Sequence, residues 1–251
     1  MNFKKIFVFI FVLFTFTITI AKLKKIITLS IPNMIYIPEG EFVMGTNDGF
    51  VYEAPEQKIY LKAFFIDRTE VTNRQYKRFV DATKYPPPKH WKNNTYPKNM
   101  DNYPVVNVSL EDALAYCKWA GKRLPTEQEW EKAARAGDKR TFPWGNEWEI
   151  NITNKSIFLG IGKIKPVGNY QSDKSIYDVY DLAGNVREWT QSKFLPYPGY
   201  TGDMKYFKEE LYVVRGGSYK LPKLFCRTYR RDAFKKDTKL PDLGFRCAID
   251  K

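Results

Sequence analysis

The sequence predicts a loop-rich fold that mixes short strands with three helices and has few long ladders. Three capping signatures fall between residues 72 and 129, each followed by apolar residues at helical spacing. Strand-like runs precede them, between Met34 and Ile66. About the last hundred residues alternate short β-like runs with Gly, Asn and Pro, so aromatic packing, a disulfide or a metal ion must order those loops.

In chain order, Met34-Ile35-Tyr36-Ile37 and Glu41-Phe42-Val43-Met44 read as strands, with turn chemistry in Pro38-Glu39-Gly40 between them. Lys58 to Ile66 alternates like a further strand. Thr72-x-x-Gln75 is a capping box, and Tyr76, Phe79 and Val80 give its helix an apolar stripe. Tyr85 to Pro104, rich in Pro, Asn and Lys, reads as an irregular surface loop. Ser109 opens a second helix, with Asp112 in the first turn. Ala113, Leu114, Cys117 and Ala120 recur at helical spacing, and Gly121 is placed to end it in the left-handed region. Pro125 sets the entry to a third helix, capped by Thr126-x-x-Glu129, carrying Trp130, Ala133 and Ala134, and stopped by Gly137.

Residues 1–21 read as a secretory signal peptide: Lys4 and Lys5, an apolar run from Ile6 to Ile20, and Thr19-x-Ala21 as a small-residue cleavage site. The run falls short of the roughly 20 apolar residues a membrane-spanning helix needs. Membrane anchoring therefore requires that this segment stay uncleaved, and no Cys follows it to carry a lipid. Residues 22–33 form a short basic connector and residues 34–250 the folded domain. The expected location is secreted or periplasmic.

The formal net charge is +13, or +11 once Lys4 and Lys5 are removed. Export argues against nucleic acid as the partner. A denser basic stretch (Arg215, Lys220, Lys223, Arg227, Arg230, Arg231, Lys235, Lys236 and Lys239) is either a solvated surface or a site for an anionic ligand. Three Cys in an exported chain suggest one disulfide and one odd thiol. The single His, His90, makes a Ser-His-Asp arrangement around Ser218 untenable without it, and no phosphate-cradling Gly loop is present.

Eight stretches occur in an order that resembles the formylglycine-generating enzyme (sulfatase-modifying factor) family. They are Ile37-Pro38-x-Gly40-x-Phe42-x-Met44-Gly45, Glu70-Val71-Thr72-Asn73, Pro104-Val105-x-x-Val108-Ser109, Ala120 to Glu131, Pro143-Trp144-Gly145, Asp181-Leu182-Ala183-Gly184-Asn185-Val186-x-Glu188-Trp189, Arg215-Gly216-Gly217-Ser218 and Gly244-Phe245-Arg246-Cys247. The resemblance runs from about Met34 to Asp250. It implies a single α+β domain, a variant of the C-type-lectin-like fold, loop-rich and stabilised by calcium.

The family's oxidases turn a substrate Cys into formylglycine with O₂ and Cu(I) held by two thiolates, a soft pair suited to that ion. The second thiolate aligns with Cys226, the first with Leu221, which ligates nothing. The resemblance therefore implies a scaffold without formylglycine-generating activity, and copper is not expected. Cys226 and Ser218 are the residues left for catalysis, and Ser218, Tyr219, Phe225 and Arg227 are candidates to line a ligand groove. Calcium maps onto the Asp181 and Glu188 side chains and the Gly184 and Val186 carbonyls, an all-oxygen set for a hard cation; the alternative is that the two carboxylates pair with nearby Arg. A second family calcium site is weaker here, with Asn154 for its amide and Leu159 near its carboxylate. Cys117 and Cys247 match one family disulfide, while the partners of the other correspond to Ala134 and Arg231.

Two functional readings follow. In one, the chain is an exported module that binds an exported protein, a peptide or an anionic ligand, or assists maturation of another protein. In the other it is an oxidoreductase of the same superfamily, acting on protein Cys or in periplasmic siderophore maturation. The iron-dependent branch of ergothioneine synthesis needs several His ligands, and His90 stands alone.

Overall fold

The structure, a computed structural model, describes residues 31–148, 162–207 and 209–251. The expected signal peptide, most of the basic connector, and Asn154 and Leu159 lie outside the described residues. Among the described residues, no helix is long and apolar enough to cross a membrane.

Strands β1 (Met34–Ile37), β2 (Gly40–Met44), β3 (Gln57–Leu61) and β4 (Phe64–Asp67) open the fold. The turn residues Pro38-Glu39-Gly40 do not make a hairpin. β1 pairs with β4, and β2 with β3, in one unbroken antiparallel register: Ile37 faces Phe64, and Gly40 faces Leu61. The four strands are thus two long arms of a single ribbon, each interrupted at one bend. The run from Lys58 to Ile66, read as one alternating strand, is split by that bend. β3 alternates in exposure, whereas β4 is buried on both faces.

All three capping boxes form. Thr72 caps α1 (Asn73–Thr83), Ser109 caps α2 (Leu110–Trp119) and Thr126 caps α3 (Glu127–Arg135), each with a reciprocal bond from the third helical residue. On α2 the buried face is Leu110, Ala113, Tyr116 and Cys117; Leu114 is 40% exposed, so the stripe expected through it is rotated by two positions to Tyr116. Gly121 does take a left-handed φ of 70°. Gly137 does not stop α3: Ala136 takes the positive φ (57°), a conformation that costs a residue with a Cβ.

The remaining strands are short. β5 (Arg187–Lys193), β6 (Tyr212–Arg215), β7 (Asp232–Phe234) and β8 (Leu243–Phe245) form a four-stranded sheet in the order β7-β6-β5-β8, with β5 and β8 parallel. β9 (Ala248–Asp250) returns to pair with β4.

One core lies between α1, α2 and this sheet, built on Tyr76, Phe79, Tyr116, Trp189 and Phe245. A second lies between the ribbon and α3, built on Ile37, Phe64, Ile66, Trp130, Ala133 and Ala134. The irregular segment after Tyr85 is not wholly superficial: Trp91 is buried and meets Tyr76 edge-on at 6.1 Å. Cys117 on α2 is joined to Cys247 beside β9, 130 residues later in the chain.

Candidate functional site

The loop that follows β6 carries the residues expected to do chemistry. Gly216 and Gly217 take φ values of 96° and 66° and turn the chain inward. A Cβ on Gly217 would lie 2.8 Å from the Cys226 sulfur and 2.7 Å from the Phe225 carbonyl, so only glycine lets the backbone pass there. Leu221 N–H donates to the Ser218 carbonyl (3.0 Å), and a 3₁₀ turn at Lys223–Phe225 delivers Cys226 beneath the loop.

Cys226 is fully buried in a cluster with Ala183, with Trp144 and Trp148 packed against it. Burial pushes its thiol well above the ordinary cysteine range; the charges of Asp173 and Asp232 push the same way, against a hydrogen bond from the Ser218 backbone. A buried neutral thiol is a poor nucleophile and a poor ligand. Under native conditions Cys226 is expected to resist iodoacetamide and to be alkylated fully only after unfolding in guanidinium, as read by intact mass.

Ser218 is also buried. Its hydroxyl donates to Asp242 Oδ2 (2.6 Å), and Asp242 is gripped in turn by Arg187 Nη2 at 2.9 Å from each carboxylate oxygen. As folded, the Ser218 hydroxyl is engaged in anchoring the loop to Asp242. The four residues expected to share a groove go to two neighbourhoods. Ser218 and Tyr219 lie toward Pro241 and Asp242, with Tyr219 N–H donating to the Asn185 carbonyl (3.0 Å). Phe225 and Arg227 join an arginine–aromatic cluster: Arg230 over Phe225 (4.8 Å) and over Phe50 (4.5 Å), Arg227 over Tyr229 (4.9 Å).

The expected calcium set also has another occupation. Glu188 accepts from Arg246 Nε and Nη2, both at 2.6 Å, and from Trp130 Nε1 at 2.8 Å. Asp181 Oδ2 accepts from Gly168 N–H (2.6 Å). Four buried carboxylates, Glu70, Asp173, Asp181 and Glu188, surround one guanidinium, Arg246. That excess of negative charge suits a cation, although both Glu188 oxygens already accept hydrogen bonds from Arg246 or Trp130. Among the described residues no group of three or more acidic, His or Cys side chains is arranged to hold a metal. As folded, Glu188 belongs to an ion-pair network with Arg246, while Glu70 Oε2 and Asp173 Oδ1 are buried with no hydrogen-bond partner among the described residues. Burial, and then the Asp181 charge, raise Glu70 and Asp173 well above the usual carboxylate range.

Much of the basic stretch is already paired, in the interior or on the surface. Arg215, Arg230 and Arg231 are buried. Lys235, Lys236 and Lys239 pair with Glu209, Glu111 and Asp112. The sequence reading missed the network beneath it. Glu131 on α3 binds Arg215, Arg135 (2.9 Å) and the Gly45 N–H (2.8 Å). Glu127 on the same helix binds Arg231 through two bonds, at 2.6 and 3.0 Å, and Arg231 stacks on Tyr197 at 4.0 Å. Arg231 stands where the resemblance places half of the absent family disulfide, and here a buried ion pair occupies that position. The available signal was the composition of α3, whose charged residues flank Trp130 and two alanines with no stretch left for a solvated face. His90 is exposed, and its Nδ1 lies 3.2 Å from the Asn107 amide nitrogen.

A family model, described as the Sulfatase-modifying factor enzyme 1-like domain, matches residues 20–251. The chain belongs to this family. The formylglycine-generating enzyme of Mus musculus is 31% identical over 295 residues, covering 88% of this chain and 76% of that protein. The inactive C-alpha-formylglycine-generating enzyme 2 of the same organism is 32% identical over 274 residues, covering 86% and 85%. Among solved structures, PvdO from Pseudomonas aeruginosa superposes with a TM-score of 0.71 at 28% identity, covering 87% of this chain and 94% of that one. The fold is accordingly the α+β, loop-rich, C-type-lectin-like variant of the sulfatase-modifying-factor family.

Proposed function

We propose that this sulfatase-modifying-factor domain is an exported binding or maturation-assisting module without formylglycine-generating activity. One observation carries the reading: Leu221 and a fully buried Cys226 stand where the resemblance requires two accessible thiolates. A single, protonated sulfur beneath Gly217 is not a two-coordinate site for Cu(I), so the residues present do not fit copper and no step is routed through it. The similarity to an inactive formylglycine-generating enzyme 2 supports the same reading, and the Cys117–Cys247 disulfide suits a secreted or periplasmic location. The partner is an exported protein, a peptide or an anionic ligand.

The test is to incubate copper-supplemented protein with a peptide carrying the sulfatase-motif Cys and to follow its mass. No aldehyde is expected above the protein-free control. Multiple turnovers per chain would overturn the reading.

A further inference from the structure

A second site lies away from the Cys226 loop, at the junction of β4 and α1. A pocket of about 350 Å³ opens there, and Arg68, Arg74 and Arg78 stand on its walls with Thr69, Gln75 and Asn102. Its volume is that of a small-molecule cleft. Arg74 and Arg78 are one helical turn apart on α1, and Arg68 reaches the same space from the loop after β4. All three are exposed.

What sets these arginines apart is that three of them line one cleft with few ion pairs between them. Several exposed lysines elsewhere are paired in place, as in Lys58–Glu41, Lys139–Glu56 and Lys193–Glu210. Among the described residues Arg68 and Arg78 have no ion-pair partner, and Arg74 has only Asp101, at 3.6 Å. The two acids on the pocket wall do not answer them. Asp67 is held by Lys122 (2.5 Å) and by the Cys247 N–H, and Glu70 is buried and bonded to the Asn185 amide. Like charges one turn apart on a helix repel, so three guanidiniums around one cleft are an arrangement that a bound anion relieves. Gln75 adds a neutral donor, because its side-chain oxygen is occupied by the cap of α1 while its amide nitrogen remains.

We propose that this pocket binds the phosphate group of a small soluble phosphomonoester. Guanidinium forks match tetrahedral oxyanions through paired N–H···O bonds, and three of them favour a dianion over a carboxylate. The proposal gives the anionic ligand of the preceding reading a place. The two fail separately, since the aldehyde assay does not involve this pocket.

Inorganic phosphate titrated into the full chain by calorimetry at low ionic strength is expected to bind saturably, one per chain. Binding should be at least about tenfold weaker in Arg74→Gln/Arg78→Gln. Lys235→Gln/Lys236→Gln removes the same charge elsewhere on the surface and should bind as the parent does. Thermal unfolding midpoints check that each variant folds; if Arg74→Gln/Arg78→Gln does not, Arg68→Gln replaces it, with the same expectation. Absence of saturable binding, or equal weakening in both double variants, overturns the proposal. Phosphatidylcholine vesicles with and without phosphatidic acid separate the sources of phosphate. Retention on the phosphatidic acid vesicles without binding of inorganic phosphate would assign the pocket to a lipid headgroup and overturn the soluble ligand.

Discussion

Glu131→Gln is expected to destabilise the fold by about 3–5 kcal/mol, far more than an isosteric change of one atom suggests. The carboxylate of Glu131 is shared by Arg135 and Arg215, which are 2% and 0% exposed at the side chain. An amide in its place leaves two guanidiniums in the interior with one carboxylate, Glu127, at 3.6 Å from Arg215 and already committed to Arg231. Neither cation can shed its proton, so the cost of their burial falls on the folded state. The Gly45 N–H, which donates to Glu131 Oε1, keeps an acceptor only through the amide oxygen. Urea unfolding followed by tryptophan fluorescence reads the loss directly. Glu41→Gln is the control, because its pair with Lys58 is mostly solvated and worth under about 1 kcal/mol. If both variants unfold at similar urea concentrations, the buried network is not what holds α3 in place.

Removing the disulfide as Cys117→Ala/Cys247→Ala is expected to cost between about 2 and 5 kcal/mol. The bond closes a loop of 130 residues, more than half the chain, and so restricts the unfolded state strongly. It also ties the buried face of α2 to the residues just before β9, where the edge of the ribbon meets the larger core. Parent protein in reductant should unfold with the midpoint of the double variant, and reductant should leave the double variant unchanged. Equal midpoints for oxidised parent and double variant would mean that packing around Tyr116 and Phe245 already fixes this junction.

The helices were legible in the sequence because their signals are local. A Thr or Ser followed three residues later by Gln, Asp or Glu states where a helix begins, and all three did. Their ends and faces were less legible. Ala136 rather than Gly137 turns the chain after α3, and Tyr116 rather than Leu114 faces the core, because tertiary packing chooses among residues that local chemistry leaves equivalent. The pairing of β1 with β4 depends on a contact thirty residues distant, which no turn signal between β1 and β2 can report. The loss of a second thiol was visible as Leu221. That Ser218 and Cys226 are sealed inside, and that Glu188 belongs to Arg246, was not, since spacing tells which residues can meet and not which partner wins.

The shared register of the two ribbon arms places a condition on any change of length near the bend. Adding or deleting one residue between Ile37 and Gly40 would turn Phe42 and Met44 out to water and bring Glu41 and Val43 in, because neighbouring strand residues point to opposite sides. A matching insertion between Leu61 and Phe64 would restore the pairing but not the facing. Indels at this corner are therefore tolerable only in twos, and a homologue that differs here by a single residue should be found to have repacked the cluster around Tyr197.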